Sequence, residues 1–186
     1  MNEILKAMEE RRSCRSFLPE QLKESDLEQI LRAGTFAATG MGRQSPKIVV
    51  LQNPEDIAVL ERMNADVMGN PDGHPFYGAP TVCVVLAEAG AFTNVEDGSL
   101  VIGNLMLAAW SLGIGSCWIH RAREEFASPG GQGPAEKMGR GGRLHRRRPL
   151  HSGLSHGRIP PRQAAKKRLY SAGKIMLAKS ENCGIL

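Results

Sequence analysis

The chain has 186 residues, 41% of them hydrophobic, 23% charged and 5% aromatic, with a formal net charge of +5. That length suits one domain with its own core, at roughly 150 residues per domain, and the composition excludes collagen-like, coiled-coil and disulfide-scaffold proteins. No apolar run reaches the ~18 residues of a membrane helix. The N-terminus is an amphipathic pattern carrying acids rather than a signal peptide, and Cys14, Cys83, Cys117 and Cys183 form no CxxC pair. A cytoplasmic protein with reduced thiols, no membrane partner and no metal site is expected.

The charge is divided along the chain. Residues 1–127 hold 11 Lys+Arg against 17 Asp+Glu, a net of −6, whereas residues 128–186 hold 13 against 2, a net of +11. The second segment has one aromatic, Tyr170, and 10 of the 21 glycines. Its apolar residues keep no sustained period. By composition, a globular core over 1–127 precedes a basic, core-poor tail over 128–186.

Taken in order, Asn2–Glu10 reads as a short helix with Ile4, Leu5 and Met8 on one face. It runs into Arg11-Arg12-Ser13-Cys14-Arg15-Ser16-Phe17, and Pro19 stops it. Ser25-Asp26-Leu27-Glu28 has the pattern of a capping box, opening a helix that turns Leu27, Ile30 and Leu31 inward. Two glycines and a proline make Thr39–Pro46 a loop. Ile48–Leu51 is a buried strand. Asn53-Pro54 starts a helix with Asn as cap and Pro at its first position, and Asn70–Gly73 is a turn.

Thr81–Leu86 is a β-branched run suited to a central strand. Asn94, with Asp97 three residues on, marks a helix start. That helix, to about Leu112, is apolar on nearly every side, which predicts burial all round and a partner subunit over part of it. Gly113 is its expected C-cap, and Cys117–Ile119 reads as a short strand.

The Arg11, Arg12, Ser13, Arg15 cluster is the sharpest polar feature. Guanidinium forks match phosphate oxygens and a serine adds a donor. Taken alone, the cluster fits a solvated basic patch at a helix C-terminus better than a phosphate site. Gln44, within its glycine loop, has the donor and acceptor to bind a planar heterocycle edge, or is simply a surface residue. Gly113–Ser116 either brings backbone amides close to a ligand or is a plain connection. Arginine neighbours would lower the Cys14 pKa, but no His or acid pattern makes it a nucleophile. His74 and His120 lack ligand spacing. No P-loop, GxGxxG, GxSxG or HExxH occurs.

Four segments in order, RRSCRSF, TGMGRQSP, APTVCVVLAEAG and DGSLVIGNLMLAAWSLGIGSCWI, closely resemble the nitroreductase family of FMN-dependent oxidoreductases over residues 1 to about 126. The resemblance implies an α+β fold: an α/β/α sandwich with a central, mainly antiparallel sheet, built as an intertwined homodimer with FMN at the interface. It implies that Arg11, Arg12, Ser13 and Arg15 hold the FMN phosphate. Gln44 would approach the isoalloxazine or ribityl chain, and backbone around Ile114 and Gly115 would face the ring. NADH or NADPH would give hydride to the flavin, and a small acceptor such as a nitroaromatic or quinone would then take it. No side-chain acid or base is required, because the cofactor supplies the chemistry.

The family pattern stops near Ser128. Reading the codon sets of Gly130–Lys174 from the second base permits EGKALLKKWG, VEGDYIGVGHCILGYP and AKPRKNDYIVRVK, with a stop permitted across Ile175-Met176. The tryptophan is forced, since ATG followed by GGN contains TGG. The tail thus reads as a one-base frame shift of the same domain, with a central strand lost. The resemblance also implies a basic C-terminal segment that reaches across the dimer to the FMN phosphate. Arg162, Lys166, Lys167 and Arg168 are basic but do not stand at matching positions. Two alternatives remain: a flavin-binding protein without turnover, and a nucleic-acid-binding protein using Arg146–Arg148 and Lys166–Arg168 as an arm. The tail lacks interleaved aromatics and any recognised motif, which disfavours nucleic acid.

Overall fold

The computed structural model describes residues 2–127 and the backbone of Tyr170–Ser171 and Leu177–Ala178. In chain order these form α1 (Glu3–Glu10), α2 (Glu24–Gly34), a 3-10 turn (Gly40–Gly42), β1 (Lys47–Leu51), α3 (Pro54–Val67) and β2 (Val82–Leu86). There follow α4 (Asn94–Ser111), β3 (Gly115–Ser116), α5 (Ala122–Ala127), β4 (Tyr170–Ser171) and β5 (Leu177–Ala178).

The two β-branched runs pair antiparallel, from Lys47 opposite Leu86 to Leu51 opposite Val82. Side chains alternate across a strand with period 2, and both faces of this pair are covered. Ile48, Val50 and Val85 face Leu27, Ile30 and Leu31 of α2 and Val101, Ile102 and Leu105 of α4. Val49, Val82, Val84 and Leu86 face Leu60 of α3, Phe76 and Phe126 of α5. The result is helix, sheet, helix in three layers, an α+β sandwich. The α2–α4 approach is close: a Cβ on Gly34 would lie 2.7 Å from Leu105 Cδ2 and 2.8 Å from Ile48 Cδ1.

Local signals succeed where a side chain meets its own helix. Asn53 Oδ1 accepts from Glu55 N at 2.8 Å with Pro54 at the helix start, and Asn2 caps α1 through Ile4 N. The Ser25–Glu28 box is not made. α2 starts two residues earlier, at Glu24, its N-cap Lys23 has no side-chain bond, and Ser25 Oγ turns to Asp26. The strand expected at Cys117–Ile119 lies instead at Gly115–Ser116. Pairing partners rather than β-propensity decide it, since β3 pairs with β5. Cys14, expected as a thiol, is buried and disulfide-bonded, while Cys83 and Cys117 are free.

Two faces stay uncovered. Ile4, Leu5 and Met8 of α1 are exposed, as are Val95 and Leu100 of α4. Within the tail, β4 runs parallel to β1, Ile48 opposite Tyr170, so the three-stranded order is β2-β1-β4. Arg146–Arg148, Arg162 and Lys166–Arg168 lie outside the described residues. No helix among the described residues is long and apolar enough to cross a membrane.

Candidate functional site

The arginine segment leaves α1 in extended backbone and is stitched to the far side of α4. Ser13 forms a parallel bridge with Ser116. The Cys14 N–H donates to the Ser116 carbonyl at 3.0 Å. Gly113, at φ +72°, ends α4 and turns the chain into β3, and the Ile114 N–H donates back to the Ala109 carbonyl at 2.9 Å. That left-handed conformation suits a residue without Cβ. Ile114, Gly115 and Ser116 are buried directly beside the arginine segment.

Arg11, Ser13 and Arg15 all bear on the Cys117 thiol. Burial pushes the Cys117 thiol up, while Arg15, the Ser13 hydroxyl and Arg11 pull it back towards the thiolate. Arg11 Nη1 and Ser116 Oγ are buried and have no hydrogen-bond partner among the described residues. Arg12 is turned differently. It is exposed, as Ser13 and Arg15 are, but its Nη1 donates to the Glu9 carbonyl at 2.6 Å and the Arg11 carbonyl at 3.0 Å, closing the last turn of α1. The structure thus brings Arg11, Ser13, Arg15, Ile114 and Gly115 together and points Arg12 at backbone.

Gln44 sits elsewhere. Its turn carries Met41 at φ 53°, Gly42 at 63° and Gln44 at 53°. Non-glycine residues seldom take that left-handed region, and strain of this kind gathers at ligand-holding segments. Two tethers impose it. Gln44 N–H donates to Thr39 Oγ1 at 3.1 Å, and Gly40 N–H donates to Asp97 Oδ1 at 2.8 Å. Gln44 Nε2 is buried without a hydrogen-bond partner among the described residues. Asp97 belongs to the first turn of α4, and Ile114 follows its last. The helix has 18 residues, about 27 Å at 1.5 Å per residue, so one chain places Gln44 and the arginine cluster at opposite ends of it.

A third group fixes the exit from β3. Asn64 on α3 donates to the His120 carbonyl at 3.0 Å and to Glu125 Oε1, and it accepts from Arg121 Nε at 3.0 Å. Asn64 and Glu125 are both 1% exposed. These bonds tie α3 to the turn at Arg121, which stands at φ 84°. A cavity opens between β2, α4 and this exit. Ser116 and Cys117 line it, whereas Arg11, Ser13 and Arg15 do not.

Chemically, Arg11 Nη1 and Ser116 Oγ are donors shielded from water, one of them cationic. Burying such groups unpaired is unfavourable, and a charge-assisted bond to an anion such as a phosphate oxygen satisfies them. Gln44 Nε2 asks for a neutral acceptor, as on a heterocycle edge. Both ends therefore fit parts of FMN. Asp97 and Thr39 are absent from the sequence-based set, and Ser116 stands in it through its backbone alone. Asp97 was read only as a helix-start mark, and its partner Gly40 is 57 positions away. Among the described residues, no group of three or more His, Cys, Asp or Glu side chains is arranged to hold a metal.

Comparison with known proteins gives the family and the fold. The family model described as Nitroreductase family matches residues 8–125. A protein of Archaeoglobus fulgidus, provisionally named NADH dehydrogenase/NAD(P)H nitroreductase, is 31% identical over 124 residues, 64% of this chain and 68% of its own length. A nitroreductase of Bacteroides fragilis, solved with bound FMN, superposes with a TM-score of 0.71 at 25% identity, covering 90% of this chain and 97% of that one. A nitroreductase of Desulfitobacterium hafniense with bound FMN gives 0.67 at 26% identity, with the same coverage.

Proposed function

We infer that this chain, which belongs to the nitroreductase family, is an FMN-dependent oxidoreductase that passes hydride from NAD(P)H to a small acceptor such as a nitroaromatic or quinone. The observation that carries the site assignment is the buried, partnerless Arg11 Nη1 beside Ser13 and Arg15. FMN, when bound, supplies the hydride chemistry itself. The chain's own work is then to hold the two ends of that molecule and keep water from them.

Arg11, Ser13 and Arg15 neutralise and orient the phosphate, with Ser116 Oγ as a further donor. The backbone at Ile114 and Gly115 forms the wall against the ring. Arg12 supports the segment through α1 rather than binding the phosphate directly. Gln44 meets the ring or ribityl chain from a second copy, since its own chain holds it at the far end of α4. A homodimer also covers Val95 and Leu100 of α4 and Ile4, Leu5 and Met8 of α1, all exposed in the single chain. Burying apolar surface of this kind is the usual driving force for association. A cytoplasmic location suits a protein working with NAD(P)H.

Residues 128–186 are the remainder of the same domain in this reading, supported by the pairing of β4 with β1 and of β5 with β3. The frame-shift reading of that segment stands on the codon argument. The test joins the intact mass of the denatured chain to the absorbance of the native one with added FMN. A retained flavin band near ~450 nm that NADH or NADPH bleaches without oxygen, and that a quinone restores, supports the assignment. A mass matching the sequence with no flavin retained removes it for this chain.

A further inference from the structure

We propose that Asp97 is a positioning residue for Gln44, acting through the Gly40 amide. The proposal rests on the reading of Gln44 as a flavin contact and extends it to the group that aims it. Acids in a first helical turn ordinarily face their own helix amides and dipole. Asp97 does otherwise. It is 4% exposed, and its Oδ1 reaches out of α4 to the Gly40 N–H at 2.8 Å.

The seat is shaped on both sides. The N-cap Thr93 makes no side-chain cap bond, and a Cβ on Gly40 would run into Thr93 Oγ1. Only a residue without a side chain lets the loop settle onto the first turn of α4. From that anchor the chain passes through left-handed Met41, Gly42 and Gln44, while Thr39 Oγ1 holds the Gln44 amide. The anchor is a carboxylate on a backbone donor, a stronger bond than a neutral pair. The residue it steadies ends in a buried amide nitrogen with no partner of its own. Asp97 touches neither cofactor nor substrate; it fixes where Gln44 Nε2 points.

A double-mutant cycle on the full chain tests this, with FMN affinity read from quenching of flavin fluorescence and thermal midpoints read beside it. Gln44→Ala and Asp97→Ala are each expected to weaken FMN about tenfold, and the double variant by no more than about twofold beyond either. Asp97→Asn keeps the acceptor and is expected within about threefold of the parent. Should Asp97→Ala fail to fold, Thr39→Val takes its place in the cycle, with a loss seen only while Gln44 is present. Losses that add in full on the Gln44→Ala background overturn the proposal, because a general structural role does not depend on Gln44. An unchanged affinity in Asp97→Ala, where Gln44→Ala is weakened, also overturns it. If Gln44→Ala itself binds FMN as the parent does, the reading of Gln44 as a flavin contact falls, and this proposal with it.

Discussion

The two ends of α4 solve different recognition problems with different means. At its C-terminal end, Arg11, Ser13 and Arg15 sit on extended backbone hydrogen-bonded to β3, and charged side chains do the selecting. At its N-terminal end, the backbone itself is forced, with Met41 and Gln44 left-handed, and the waiting group is a neutral amide. Charge acts at longer range and tolerates imprecision, since Coulomb energy falls slowly with distance. A neutral hydrogen bond is short and directional, so its donor has to be aimed. The difference explains why strain is concentrated at Gln44 and absent from the arginine segment.

The largest expected effect breaks both ends together. Leu105 lies at the centre of the strut, fully buried against Gly34 and Ile48. Leu105→Ala should lower stability by about 2–5 kcal/mol, measured by denaturant unfolding, and weaken FMN and riboflavin alike. Arg11→Ala should separate the ends. Charge-assisted bonds contribute about 1.5–3 kcal/mol, so FMN affinity should drop by roughly ten- to a hundredfold, while riboflavin, which has no phosphate, should bind as before. Gln44→Ala should do the converse, weakening both flavins about equally by roughly tenfold, as expected for one neutral donor of about 1 kcal/mol or slightly more. Equal losses of FMN and riboflavin in Arg11→Ala would show that the arginine end does not read phosphate. The smallest effect is Arg12→Ala. Its guanidinium is exposed and bonded to α1 carbonyls, so FMN affinity should stay within about twofold in the same titration, surface changes usually lying within ±0.5 kcal/mol.

The sheet was legible because its strands are buried on both faces. Ile48–Leu51 and Val82–Leu86 carry nothing but apolar side chains, and such runs read as central strands whatever surrounds them. α3 was legible for a local reason, the Asn53-Pro54 start. The Ser25–Glu28 box misled because Lys23 already adopts the cap backbone, leaving the serine one residue inside the helix. β3 misled because two residues pair through their neighbours rather than through propensity. In the site, the residue types at Arg11, Ser13, Arg15 and Gln44 were visible. Their grouping around Ile114 and Gly115 came only through the family resemblance. Arg12 looked equivalent to its neighbours, yet one rotation of the chain at the end of α1 sends it to carbonyls. Asp97 carried no signal, since a bond across 57 residues leaves no local pattern.

The bridge between Ser13 and Ser116, with the Cys14 amide on the Ser116 carbonyl, is made entirely of main-chain atoms. That bridge holds the segment without calling on the side chains at 11, 13 and 15, while its message is carried by them. A set of variants at positions 11, 13 and 15 can rewrite the anion preference, towards a sulfonate or a carboxylate, on a ribbon that stays where it was. In this fold the socket and the key-pattern are separately editable.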